Sequence, residues 1–233
     1  KLVMKNLFIS ALFLTGLAVG QCATAQTVDD IAKLNMDAMG GAEKIASLKT
    51  LKMEGTLNTQ GVDVSITSTT AHLKGIRVDI EVMGTSNYQV ANTTEGWVYM
   101  PVMGMSTAQK MDDDQFKAAQ NQMDLQGFFL NYKEKGTIIE LAGKDVDAYK
   151  LNITYKNGIK KTVFIDVKTN RIIKSLGKTK INGEDTETET TMSDYKQNAD
   201  GYWFPYSVST IQGTTIYDKI STNVTVDEGV FKN

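Results

Sequence analysis

The chain has 233 residues, of which 41% are hydrophobic and 22% charged, and its formal net charge is −2. These totals are typical of one large or two small soluble domains, and a mildly acidic chain without basic runs argues against nucleic acid as a partner. A single His, His72, and a single Cys leave too few groups for a zinc site or for most catalytic triads. We therefore predict no catalytic residues, no metal site and no cofactor, and expect that the protein is not an enzyme.

Residues 1–25 are predicted to form a secretory signal peptide. Lys5 supplies its basic start, 7–19 its apolar centre, and Ala23-Thr24-Ala25 an A-x-A cleavage site. The apolar run is too short to span a membrane comfortably. The mature protein is then a single domain, 26–233, which we expect to be free in the periplasm.

Cys22 offers a competing interpretation, as the lipid-modified first residue of a lipoprotein. A lipobox carries a small residue directly before the Cys, and Gln21 occupies that position here. We therefore favour cleavage after Ala25 over lipidation of Cys22. Intact-mass measurement on protein from the native envelope distinguishes the two, because a diacylglyceryl group adds a fixed mass to Cys22.

Two helices are predicted before the first strand. Thr27-Val28-Asp29-Asp30 resembles a capping box, and the helix that follows ends at Gly40-Gly41. A second, short helix is predicted over 42–48. Both are expected to pack against a sheet.

From Thr50 onward, apolar and polar residues alternate, as in strands with one buried face. Asn157-Gly158, Asn182-Gly183 and Gln212-Gly213 stand at hairpin positions between such segments. Successive hairpins specify an antiparallel meander. We predict about ten or eleven strands, enough to form a barrel or most of one.

The stretch 73–105 changes character in its second half. Its first half alternates, but 97–105 leaves almost no polar face. A strand that is apolar on both sides must be covered on both sides, by protein or by a ligand.

A helical segment interrupts the strands midway. Asp112-Asp113-Asp114 predicts the start of a helix over 115–125, and the apolar segment 127–130 follows. The Met and Phe side chains around this helix leave two alternatives open. They either fill the core permanently or line a cavity, for which flexible Met side chains are well suited.

Several short motifs resemble one known family. They are Met39-Gly40-Gly41-Ala42-Glu43-Lys44-Ile45, Leu51-Lys52-Met53-Glu54-Gly55, Glu95-Gly96-Trp97-Val98-Tyr99-Met100-Pro101, Phe164-Ile165-Asp166-Val167-Lys168-Thr169-Asn170 and Trp203-Phe204-Pro205. In this order they resemble the periplasmic lipoprotein carriers of the LolA, LolB and LppX superfamily. They resemble more closely the outer-membrane lipoprotein-sorting proteins of many two-membraned bacteria.

The resemblance implies an α+β fold, an unclosed antiparallel β-barrel with a helical cover over an apolar concave face that receives acyl chains. The well-studied carriers have an Arg-Pro pair in the strand that corresponds to 73–77, and the Arg of this pair controls opening of the cover. Here Lys74-Gly75 stands near that place without a proline, and Arg77 lies two positions beyond. Lys74 and Arg77 are therefore our candidates for gating or head-group contact.

We thus predict a monomeric periplasmic protein that binds acyl chains of a lipid or lipoprotein, with envelope membrane proteins as further partners. The alternative is an envelope scaffold or sensor that binds a protein partner and whose concave face is permanently filled. The candidates for the cavity and its lid are Trp97, Tyr99, Met100, Met103, Met105, Phe116, Met123, Phe128 and Phe129.

Overall fold

A computed structural model describes residues 26–181 and 184–233. The predicted signal peptide and the Asn182-Gly183 turn lie outside the described residues. The helices of the described part are α1 (Val28–Ala38), α2 (Ala42–Ala46) and α3 (Asp113–Gln122). Its strands are β1 (Thr50–Thr59), β2 (Val62–Ala71), β3 (Gly75–Val82), β4 (Thr85–Asn92), β5 (Gly96–Tyr99), β6 (Gln109–Lys110), β7 (Ile138–Lys144), β8 (Ala148–Thr154), β9 (Lys160–Asp166), β10 (Ile172–Ile181), β11 (Glu184–Gln197), β12 (Trp203–Thr210) and β13 (Gly213–Thr222).

These strands form one antiparallel sheet in the order β6-β5-β4-β3-β2-β1-β13-β12-β11-β10-β9-β8-β7. Two meanders, β1 to β6 and β7 to β13, are joined where β1 pairs with β13. The sheet does not close, since β6 and β7 are its two edges. The predicted α+β class and unclosed antiparallel sheet are confirmed.

The described part contains 13 strands rather than ten or eleven. The two edge strands carry the weakest patterns. β6 has two residues, both exposed, and β7 buries only Ile139. An edge strand with so little buried surface leaves almost no period-two signal in the sequence.

The apolar run 97–105 is not a continuous strand, contrary to the pattern that we read from the sequence. β5 ends at Tyr99, and Pro101–Met103 forms a 3-10 turn. Pro101 has no N–H for a strand ladder, and Gly104 adopts a left-handed conformation with φ of 85°.

The helix starts agree with the sequence. Thr27 caps α1, its hydroxyl accepting a hydrogen bond from the Asp30 N–H while the Asp30 carboxylate accepts one from the Thr27 N–H. Asp112 and Gln115 form the corresponding capping box at α3. The acidic run at 112–114 therefore serves helix initiation.

The helices pack on one face of the sheet, called here the inner face. α1 covers β7, β8 and β9 through Ile31 and Ala32, and this core includes Leu151, Ile153 and Ile165. α3 contacts β3, β4 and β10, so it lies across the inner face between the two meanders.

The opposite, outer face is covered at one place by the C-terminal segment. A 3-10 turn, Glu228–Phe231, buries Phe231 against Ala71 and Val90. The close approach requires Gly75, because a Cβ at that position would lie 2.3 Å from the Phe231 ring.

Candidate functional site

A cavity of about 620 Å³ lies on the inner face between α3 and strands β3 to β5. We call it the methionine cavity. Val78, Gln89 and Val98 form one row of its wall, since Val78 pairs with Gln89 and Gln89 with Val98 across adjacent strands. Its other lining residues are Ile76, Val90, Ala91, Met100, Met103, Met105, Met111, Gln115, Ala118, Ala119, Gln122, Thr188 and Gln212.

Three of the candidate residues from the sequence, Met100, Met103 and Met105, line this cavity. Met100 is buried, whereas Met103 is 78% exposed and lies at the rim. Val98 and Met111 were not among our candidates. The sequence could have identified Val98, because residues two apart in a strand share a face and Val98 is therefore on the same face as Met100.

Phe116 and Met123 lie between the cover, which is α3, and the sheet. They pack with Ala119 against Ile76 and Ala91, so they attach α3 to the sheet. Met123 is almost fully buried at the end of the helix. These two side chains hold the cover in place and do not line the methionine cavity.

Trp97 and Tyr99 do not lie where we expected them. Both side chains are on the outer face, where Trp97 packs with Tyr88 and Val90 near Phe231. Tyr99 pairs with Tyr88 across β4 and β5, with ring centroids 5.5 Å apart. The physical reason is the strand period of two, which turns residues 97 and 99 away from the face that carries Val98.

Phe128 and Phe129 border a second, smaller cavity of about 180 Å³, called here the aromatic cavity. It lies between the two N-terminal helices, the segment after α3, and strands β10 and β12. The two rings contact each other at a centroid distance of 4.5 Å. Their partners in the lining are Asn35, Met36, Met39, Ile45, Leu48, Leu125, Gln126, Gly127, Ile172, Tyr202, Trp203 and Phe204.

A third cavity of about 400 Å³ lies between α3 and the β8–β9 hairpin and shares lining residues with each of the other two. We call it the lysine cavity. Ala118 and Gln122 line it together with the methionine cavity, and Gly127 and Phe128 line it together with the aromatic cavity. Its remaining lining residues are Asn121, Asp124, Tyr155, Ile159 and Lys161. The three cavities are therefore neighbours along the inner face, beneath and beside α3.

Lys74 and Arg77 border none of these three cavities. Lys74 is ion-paired to Glu228 of the C-terminal segment. The Arg77 Nε donates a hydrogen bond to Asp79 Oδ1 at 2.8 Å, and its guanidinium lies over the Tyr88 ring on the outer face. These contacts indicate that Lys74 and Arg77 stabilise the outer face of the sheet, and they do not favour a role in opening the cover.

The segment after α3 is anchored by a small polar cluster. Asp124 is ion-paired to Lys135 at 2.6 Å, and His72 Nδ1 lies 3.7 Å from Asp124. Burial lowers the pKa of His72, and the nearby Asp124 carboxylate opposes that shift. In 26–181 and 184–233, no group of three or more His, Cys, Asp or Glu side chains forms a metal site.

The cover is expected to exchange its amide hydrogens faster than the strands beneath it. α3 buries only Ala119, whereas β8 buries every second side chain and β9 buries Val163 and Ile165. Hydrogen exchange should show low protection over 100–122 without ligand and a gain with an acyl ligand bound. High protection in both states would mean that the segment is a permanent plug. Residues 123–130, which are mostly buried, should be protected throughout.

No protein-family model and no curated protein matches this chain. Solved structures are similar. A LolA superfamily protein from Nitrosomonas europaea has a TM-score of 0.57 and 12% identity, covering 90% of this chain and 99% of its own. An outer membrane lipoprotein-sorting protein domain from Vibrio parahaemolyticus has a TM-score of 0.49 and 15% identity, covering 87% and 95%.

No helix in the described ranges has the length and apolar character needed to cross a membrane.

The similarity to the Nitrosomonas europaea protein covers nearly the whole of both chains, so it concerns the entire sheet and its helices. The described chain therefore has the fold of the LolA superfamily, an unclosed antiparallel β-barrel with helices on its inner face.

Proposed function

We propose that this protein is a non-enzymatic carrier that binds the acyl chains of a lipid or lipoprotein in the periplasm. The observation that carries the proposal is the methionine cavity. Its volume of about 620 Å³ lies in the range of ligand-binding pockets, and its wall is built mainly from Val, Ala, Ile and Met side chains.

The chemistry of this wall suits a flexible chain of methylene groups. Each buried methylene gains about 0.8 kcal/mol, so a long acyl chain gains on the order of 10 kcal/mol before the costs of association. The unbranched side chains of Met100, Met105 and Met111 adapt to ligands of different shape. The polar groups of the wall are mostly amides and hydroxyls, which is the pattern of a binding site rather than of a catalytic one.

The periplasm is the compartment that the predicted signal peptide implies. The LolA-like fold supports the same assignment by analogy. A carrier in this compartment would exchange its ligand with envelope membrane proteins, which are the expected protein partners.

Native mass spectrometry of protein purified without detergent tests the proposal. We expect a bound mass in the range of a lipid or a fatty acid, which is lost on delipidation and restored when fatty acid is added. Protein that carries no lipid, and that takes up none in this titration, would overturn the proposal.

The edge strand β7 favours a second candidate, a scaffold that binds a protein partner. One edge of β7 is unpaired, and Ile138, Leu141 and the nearby Val146 are exposed. Exposed edges accept an added strand from a partner. A chain that stays lipid-free, and whose affinity for an envelope partner is reduced by Ile138→Lys, would support the scaffold.

A further inference from the structure

Lys161 is the one charged residue at the inner positions of β9. It shares the inner face with Val163 and Ile165, which are fully or almost fully buried. It pairs directly with Ile153 of β8, which has no exposed surface. A lysine at this place in a sheet has to be explained, because burial of an ammonium group is costly unless the group is paired.

The protein itself supplies only aromatic partners to this ammonium. Its Nζ lies 4.6 Å from the centroid of the Phe128 ring and 5.1 Å from that of Tyr155. Burial alone lowers the pKa of Lys161, to about 8, with no contribution from a neighbouring carboxylate. No ion pair of Lys161 occurs within the described ranges 26–181 and 184–233. Its charge is therefore balanced only by ring faces.

The lysine cavity places this ammonium beside a space of about 400 Å³. The cavity has one carboxylate, Asp124, whose charge is already balanced by Lys135 at 2.6 Å. The amide side chains of Asn121 and Gln122 and the hydroxyl of Tyr155 complete the polar part of the lining. The cavity therefore presents one uncompensated positive charge with amide donors nearby, which is the arrangement that binds an anion.

The anion-binding space adjoins the methionine cavity, because Ala118 and Gln122 of α3 line both. An amphiphile can thus reach Lys161 with its charged end while its chain lies against Val98 and the Met side chains. A free small anion would use only the polar end and would leave the apolar wall unoccupied.

We propose that Lys161 binds the anionic head group, a carboxylate or phosphate, of a lipid whose acyl chain occupies the methionine cavity. The inference rests on the proposed carrier function and names the class of its ligand. Lys161 is a binding residue that selects acids over uncharged lipids of the same chain length.

Competition binding with an uncharged environment-sensitive dye tests the selection. Hexadecanoic acid and hexadecanol have the same chain and differ in the charge of the head group. The unmodified protein should bind the acid at least about tenfold more tightly, since a charge-assisted hydrogen bond contributes that much. Lys161→Met should reduce this preference, the ratio of the two affinities, to less than about twofold.

Lys160→Met is the matched control. Lys160 is the preceding residue of the same strand and is exposed, so its side chain lies on the outer face. This variant loses the same charge and should keep the preference for the acid. If Lys160→Met and Lys161→Met lower the preference equally, the effect is one of net charge, and the assignment of Lys161 is overturned.

The preference should also fall as the pH rises above about 8, where the Lys161 ammonium loses its proton. The other titratable groups of the cavity are Asp124, which is ion-paired, and Tyr155, whose pKa is raised by burial so that it stays neutral. Lys161→Met should show no change between pH 6 and 9. A preference that persists unchanged to pH 9.5 in the unmodified protein would contradict the role of Lys161.

The failures of the inference and of the carrier function are distinguishable. Equal binding of acid and alcohol by the unmodified protein overturns the inference and leaves the carrier function in place. Absence of binding for both overturns the carrier function. Inorganic phosphate that binds alone as tightly as hexadecanoic acid would show that the anion is a soluble one, which also overturns the inference.

Discussion

Replacing Val98 and Met105 by Asp is expected to weaken the binding of a single-chain lipid about hundredfold or more while the sheet stays folded. Both side chains line the methionine cavity, and both are only half-buried without ligand. In the ligand-free protein the new carboxylates therefore remain hydrated. Once an acyl chain fills the cavity, a carboxylate on the wall costs about 3 kcal/mol or draws water in. About 1.4 kcal/mol corresponds to a factor of ten in Kd.

The matched control replaces Met83 and Val146 by Asp. It makes the same two chemical changes at residues that are 84% and 89% exposed and that line none of the three cavities. Displacement of a bound dye by hexadecanoic acid measures the affinities, and far-UV circular dichroism with a thermal melt measures the fold. The control should bind within about threefold of the unmodified protein. An intact fold with unchanged affinity in the Val98 and Met105 variant would refute the cavity assignment.

Met103 lines the same cavity but lies at its rim. A carboxylate at a rim position that is largely exposed stays in contact with water in both states. Met103→Asp should therefore change the affinity less than Met105→Asp does. The order of the two effects reports how deep the acyl chain enters.

Ile153→Ala is expected to lower the free energy of unfolding by about 2 to 5 kcal/mol. Ile153 is fully buried, in the cluster formed by α1 and strands β7 to β9. Its neighbours are held by the sheet ladder, so they close only part of the space that the lost methyl and methylene groups leave. For a chain of this size the midpoint of thermal unfolding should fall by about 4 to 20 °C.

Ile211→Ala is the control, since Ile211 lies in the β12–β13 turn and is 68% exposed. It removes the same atoms from a residue that water already contacts, and its effect should stay within about 0.5 kcal/mol. Urea denaturation followed by tryptophan fluorescence measures both variants. If the two variants lose the same free energy of unfolding, Ile153 does not belong to the core that supports the cover.

The general fold could be predicted from the sequence because its signals are local. Alternation, hairpin turns and the capping residues Thr27 and Asp112 each depend on a few neighbouring positions. The edge strands β6 and β7 are hard to predict from the sequence, because they bury almost no side chains and so leave no alternating pattern. The prediction of an unclosed barrel came from the order of the family motifs, because no local signal specifies whether a sheet closes.

The position of Trp97 shows what local signals omit. Alternation places Trp97 and Val98 on opposite faces, but it does not say which face is covered by the helices. The answer depends on a long-range contact, the packing of the C-terminal Phe231 against the outer face beside Gly75. When a stretch is apolar on both sides, size and aromaticity do not decide which side chains line the cavity.

Lys161 shows the converse. The sequence did carry a signal, a single lysine in the apolar series Ile159, Val163, Ile165. This pattern alone does not predict a binding residue, because lysine at a strand position usually indicates the solvent-facing side. Only the pairing with Ile153 places it on the inner face.

The pairing of β1 with β13 has a consequence for how this chain folds. Leu51 is joined to Thr222 and Asn58 to Thr214, so the first strand completes its ladder only with the last. Folding that depends on contacts so distant in sequence is slow, because the intervening chain must be ordered before the contact forms. Until then β1 has an unpaired edge and the N-terminal meander is prone to aggregate. A chain synthesised from its N-terminus therefore depends on protection until its final strand is available.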